Sequence, residues 1–189
     1  GRDVNRAVFL DRDGTLIEEI GYLDRLDRVA FFPFSVDAVR LLNRAGFKVV
    51  VVTNQAGIGR GFFDEAFVED THRALSERLA AGGAAIDAFY FCPHHPEATR
   101  PGYKQACDCR KPQPGMLKQA AAELGLDLAN SWIIGDRESD LEAGAALLAV
   151  QKQRSAAADR LVSPWWYHPC LGGLVGVLLA VQATHSSVV

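Results

Sequence analysis

The chain has 189 residues, 49% hydrophobic and 23% charged, with a formal net charge of −3. That composition is ordinary for a soluble globular protein, and the length favours one domain with a substantial core. The negative charge offers no basic field for nucleic acid, so an anionic substrate would have to be met by locally placed Arg and Lys. The opening residues show no charged n-region followed by an apolar h-region, which argues against export.

The first predicted element is a buried strand over 7–10, Ala7-Val8-Phe9-Leu10, running directly into Asp11-Arg12-Asp13-Gly14-Thr15. An uninterrupted apolar run ending in two acids and a glycine suits the carboxyl end of a parallel strand, where open α/β sheets bind ligands. Carboxylates two residues apart repel unless a cation or shared proton compensates them. With a divalent cation, Asp11 would stay ionised as a nucleophile while Asp13 trades protons. A helix is expected at 35–45, capped by Ser35, with Leu41, Leu42 and Ala45 in its apolar stripe. A second strand at 48–52 leads into Thr53-Asn54-Gln55, whose hydroxyl and amides suit phosphate oxygens or cap a strand-to-helix turn. A helix capped by Asp64 follows at 64–81, then a strand at 86–91.

Cys92, Cys107 and Cys109 lie within 18 residues, beside His94 and His95, while Cys170 is remote. Cys107 and Cys109 are poorly placed to pair with each other. Cys92, His94, Cys107 and Cys109 supply three sulfurs and one imidazole, a tetrahedral zinc set; a disulfide plus a spare thiol is the alternative. Zinc thiolates point to a reducing, cytoplasmic compartment. Next come Arg110 and Lys111, a bidentate phosphate grip and a compact cation. A helix at 114–125 stops at Gly125, and a last strand at 132–135 ends in Gly135-Asp136-Arg137, with Asp140 one helical turn further on. Oxygen ligands from Asp11, Asp136 and the Asp13 carbonyl suit Mg²⁺. Asp140 could also serve only as an acid at a helix start. Strand and helix in alternation predict an α/β, Rossmann-like doubly wound parallel sheet with helices on both faces, bringing four polar clusters to one edge.

Asp11-x-Asp13-Gly-Thr, Thr53-Asn54, Lys111 and Gly135-Asp136-x-x-x-Asp140 resemble the four motifs of the haloacid dehalogenase superfamily of phosphohydrolases. Cys92-Pro-His94-His95-Pro, Cys107-Asp-Cys109-Arg110-Lys111-Pro and Thr53-Asn-Gln-Ala-Gly-Ile-Gly-Arg-Gly61 are similar to its capless histidinol-phosphatase-like branch, over roughly residues 6–146. The resemblance implies a Mg²⁺-dependent sugar bisphosphate phosphatase without a large cap domain. Asp11 would become an aspartyl phosphate, Asp13 would be acid and base, and Thr53 and Lys111 would hold the transferring phosphoryl group. Mg²⁺ would sit on Asp11, Asp13 and Asp136, with Asp140 nearby, and structural Zn²⁺ on the Cys/His set. Asn54, Gln55 and Arg110 would bind substrate, Arg110 at the distal phosphate. Arg137 and the loop at 19–22, with Gly21 and Tyr22, would line the sugar.

The implied partner is a small phosphorylated sugar, with no nucleic acid, no membrane and a monomeric state expected. Histidinol-phosphate phosphatase is the alternative, although that branch carries a shorter loop than the fourteen residues between Cys92 and Cys107 here. A catalytically inactive zinc-stabilised binding module and a polynucleotide 3′-phosphatase are further readings. Intact Asp11, Asp13, Lys111 and Asp136 oppose the first, and the lack of an aromatic-basic groove opposes the second. After Ala146 the resemblance stops. The phosphatase core is therefore drawn at 1–146, and 147–189 is an atypical C-terminal segment with a Pro164-Trp165-Trp166-Tyr167 cluster and an uncharged run at 171–181. A frame-altered terminus is the favoured reading of it, ahead of an unusual packed strand and helix or a membrane anchor.

Overall fold

A computed structural model describes residues 5–154. Four strands, β1 (Ala7–Leu10), β2 (Lys48–Asn54), β3 (Ala88–Cys92) and β4 (Trp132–Ile134), form one sheet in the order β3-β2-β1-β4. All pairs are parallel; Phe9 faces Val50 on one side and Ile133 on the other. Five α-helices accompany them: α1 (Ser35–Arg44), α2 (Ala56–Gly59), α3 (Glu65–Ala81), α4 (Gly115–Leu124) and α5 (Glu138–Arg154).

β1 and the middle of β2, Val49–Val52, are apolar at every position because both faces are covered. Val8, Leu10, Val49 and Val51 pack with Ala38, Val39 and Leu42 of α1 and Leu75 and Leu79 of α3. Their alternates Ala7, Phe9, Val50 and Val52 pack with Met116, Leu117 and Ala120 of α4 and Ala143 of α5. The period of two in a pleated strand sends neighbouring side chains to opposite layers. The result is the expected doubly wound sheet, and the described residues include no inserted cap domain.

Local signals set most element ends. Asp64 caps α3 by accepting from the Phe67 amide at 2.8 Å, and Gly125 ends α4 at φ 63°, a conformation that favours glycine. Ser35 does not cap α1. Phe34 holds that position, and the buried Ser35 hydroxyl instead donates to the Leu16 carbonyl at 2.7 Å, tying α1 to the turn after β1. The short α2 was not expected, and α5 carries the chain across residue 146. Residues 155–189, with the Trp/Tyr cluster and the uncharged run, lie outside the described residues. Among the described residues, no helix is long and apolar enough to cross a membrane.

Candidate active site

The chain order reverses direction across the sheet beside β1, so the loops after β1 and β4 part there and leave a crevice at the carboxyl edge. Asp11 sits in it, its amide donating to the Ile134 carbonyl at 2.9 Å. The Lys111 ammonium lies 3.0 Å from Asp11 Oδ1 and 2.5 Å from Asp140 Oδ1, and donates to the Val52 carbonyl at 2.7 Å. All three side chains are buried. Burial pushes the Asp11 carboxyl up to about 6, with Lys111 opposing and Asp140 reinforcing the rise.

Asp11, Asp136 and Asp140 each offer a carboxylate oxygen within 4.8 Å of the others. Asp140 Oδ1 is buried and accepts no well-formed hydrogen bond despite its charge contact with Lys111. Three converging carboxylates against one ammonium leave negative charge over, and an under-satisfied oxygen among hard donors fits a divalent cation such as Mg²⁺. Gly14, at φ 83°, lets the backbone pass the Asp136 carboxylate, where a β-carbon would collide. Burial also raises the Asp136 carboxyl.

Asp13 stands apart from that carboxylate cluster. Its oxygens are gripped by the Arg12 guanidinium at 3.0–3.2 Å, and Oδ2 accepts from the Gln55 amide at 2.8 Å. The same Gln55 nitrogen donates to Thr53 Oγ1 at 2.8 Å. Asn54 also lines the cleft. Its amide makes two 3.0 Å hydrogen bonds to the Lys111 backbone, one to each of N–H and C=O, so it aims Lys111.

Behind Lys111, the sulfurs of Cys92, Cys107 and Cys109 lie 3.2–3.5 Å apart, with His94 Nδ1 at 3.5 Å and 3.7 Å from two of them. No two are joined in a disulfide. Ligands about 2.3 Å from a tetrahedral centre stand roughly 3.7 Å from one another, so only a small outward shift of the sulfurs separates this cluster from a zinc site. Burial drives the Cys92 thiol pKa up, a penalty that a bound cation removes. His94 Nε2 lies 2.7 Å from the Gln105 side-chain amide nitrogen. Arg110 donates to the His94 carbonyl at 3.2 Å, so the cluster also orients the first cation of the pair.

Asp11, Asp13, Thr53, Arg110, Lys111 and Arg137 all line one cleft of about 570 Å³. A family model described as HAD-hydrolase-like matches residues 108–149. D-glycero-beta-D-manno-heptose-1,7-bisphosphate 7-phosphatase of Photorhabdus laumondii is 46% identical over 137 residues, 72% of this chain and 73% of that protein. The enzyme of the same name from Escherichia coli K12 is 44% identical over 140 residues, covering 74% and 73%. Among solved structures, an HAD-like phosphatase from Mesorhizobium loti superposes with TM-score 0.78 at 32% identity, over 96% of this chain and 87% of that one. D,D-heptose 1,7-bisphosphate phosphatase from B. bronchiseptica, complexed with magnesium and phosphate, gives 0.71 at 30% identity over 93% and 98%. The chain belongs to the haloacid dehalogenase-like phosphatases.

Phosphatases of this family use Mg²⁺, and among the described residues the carboxylate cluster can hold it. One wall of the cleft is built from the loop after β1, with Glu19, Gly21 and Tyr22. Glu19 accepts from the Gly21 amide at 2.7 Å and from Arg137 at 2.6 Å, bridging that loop to the loop after β4. Tyr22 packs on exposed Phe62 with ring centroids 4.4 Å apart. Sequence reasoning assigned no role to two residues of the site. Arg12 occupies the unassigned middle of Asp-x-Asp, and His72 lies 60 residues away on α3, yet the two meet beneath Asp13. An arginine between two acids at a strand end was the available hint, because buried arginine needs partners.

Proposed function

We propose that this HAD-like phosphatase removes the 7-phosphate of D-glycero-β-D-manno-heptose 1,7-bisphosphate through an aspartyl phosphate on Asp11. The carrying observation is the buried Asp11–Lys111 pair opening into a cleft that also holds Asp13 and Arg110. The identity to heptose bisphosphate phosphatases supports the choice of sugar.

In the first half-reaction the Asp11 carboxylate attacks phosphorus, the bond from phosphorus to the sugar oxygen breaks, and Asp13 gives its proton to the departing alkoxide. An alkoxide leaves poorly without that proton. In the second, the Asp13 carboxylate takes a proton from water, whose oxygen attacks phosphorus, and the phosphorus–oxygen bond to Asp11 breaks. This frees inorganic phosphate and restores both carboxyl groups. Lys111 and the Thr53 hydroxyl hold the transferring oxygens in place. Asp11, Asp136 and the Asp13 carbonyl, with Asp140 beside them, would hold Mg²⁺, which would supply charge neutralisation at those oxygens.

Cys92, His94, Cys107 and Cys109 would hold a structural zinc that keeps Arg110 and Lys111 facing the substrate. Arg110 grips the distal phosphate. Gly21, Tyr22, Gln55 and Arg137 border the sugar, and unpaired thiols suit the cytoplasm. A phosphate-release panel with Mg²⁺ tests the reading. Heptose 1,7-bisphosphate is expected to outrun histidinol phosphate and 3′-phosphorylated DNA, and preference for either of those would overturn it.

A further inference from the structure

The Arg12 side chain is 2% exposed and carries a charge that no solvent screens. Its Nε and one terminal nitrogen are turned on the Asp13 carboxylate, and its other terminal nitrogen, Nη1, points to His72 Nε2 at 3.4 Å. A guanidinium has donors only and is not deprotonated in proteins. The contact therefore requires a bare Nε2 with the proton on Nδ1, which makes His72 a neutral acceptor. Burial, reinforced by Arg12, pushes the His72 pKa down to about 3, in agreement with that geometry. The ring is held flat against Phe89 at 4.5 Å and edge-on to Phe91, so its orientation is set by packing from β3. A core filler of this shape needs no nitrogen, since phenylalanine would stack equally well. The nitrogen is the feature that asks for an explanation.

We propose that His72 is a positioning residue for the proton-transfer step: its bare Nε2 holds the Arg12 guanidinium in the orientation that presents the remaining donors to the Asp13 carboxylate. The inference rests on the reading of Asp13 as acid and base. His72 does not line the cleft, so it acts only through Arg12. Gln55 remains a second anchor on Asp13, so losing the histidine weakens the alignment without abolishing it.

The test compares the full-length chain with His72→Phe, which keeps the stack and deletes the acceptor, and His72→Gln, whose amide oxygen takes the place of Nε2. With Mg²⁺ and heptose 1,7-bisphosphate, His72→Phe is expected to lower kcat about tenfold, a fraction of the roughly 10²–10⁴ that general acid–base catalysis supplies. KM should stay within about twofold, because His72 does not line the cleft. His72→Gln should recover to within about threefold of the parent. A fully active His72→Phe, or a glutamine variant as slow as the phenylalanine one, overturns the inference. Nitrogen-15 NMR of the unaltered protein decides the matter even if His72→Phe fails to fold. His72 must show an unprotonated Nε2 at neutral pH, and a protonated Nε2 overturns the proposal. A parent chain that releases no phosphate while showing the expected tautomer would instead remove the functional reading beneath it, and the inference with it.

Discussion

Replacing Lys111 by Met keeps the length and apolar stem of the side chain and deletes the one charge that faces both Asp11 and Asp140. The ammonium touches the two carboxylates at 3.0 and 2.5 Å and satisfies the Val52 carbonyl. Breaking a buried ion pair from one side typically costs about 3–5 kcal/mol, because the remaining charge stays desolvated. At roughly 2–4 °C per kcal/mol for a chain of this size, the melting temperature in EDTA should fall by about 6–20 °C near pH 8. The loss should depend on pH in a definite direction. Burial already raises the Asp11 carboxyl to about 6, and Lys111 is what opposes the rise. Without Lys111 the native pKa moves further above the unfolded value of 3.8, so the folded state binds more protons than the unfolded one as pH climbs through that interval. Stability is then lost with rising pH, and the deficit at about pH 5.5 should be smaller than at about pH 8. Mg²⁺ should raise the melting temperature of the variant more than that of the parent, since a cation replaces the missing one. Thermal melts at both pH values, with EDTA and with Mg²⁺, measure all of this. A variant within about 2 °C of the parent near pH 8, or a deficit unchanged with pH, would refute the electrostatic account.

Asp11→Asn should abolish turnover, by at least about a thousandfold in kcat, and near-normal rates would refute covalent catalysis at this residue. Elemental analysis should find about one zinc per chain, and its removal by a chelator should lower both melting temperature and activity; a zinc-free protein of full stability and rate would refute the structural site. Arg110→Ala should reduce kcat/KM for the bisphosphate about ten- to a hundredfold more than for a monophosphate of the same sugar, as expected for one bidentate charge-assisted contact. His72 titrates near 3 in the fold and at 6.5 in the unfolded chain, so below 6.5 the unfolded state binds the extra proton. Between about pH 7.5 and pH 5 the parent should lose roughly 2 kcal/mol that His72→Phe does not lose, read from urea melts at the two pH values.

Features whose chemistry is local were legible in the residues alone. Apolar runs in alternation with helical segments specify a parallel sheet, most plainly at 7–10 and 49–52, because a strand buried on both faces must be apolar at every position. The Asp11-x-Asp13 pair, the adjacent Arg110 and Lys111, and the Cys92/His94 and Cys107/Cys109 pairs are written in spacings of one or two residues, which no folding event rearranges. Caps followed the same logic at Asp64 and Gly125, where side chain or backbone freedom acts within one turn. Ser35 shows where that logic ends, because a buried hydroxyl takes whatever acceptor packing brings, here the Leu16 carbonyl. Tertiary structure alone decided that Asp140 stands against Lys111, that Asn54 is used on the Lys111 backbone, and that His72 closes on Arg12 beneath Asp13. Those partners are 29, 57 and 60 residues apart, and the last two pairings depend on β2, β3 and α3 packing in one particular register. Buried charges must find partners, but only the packed fold decides which ones.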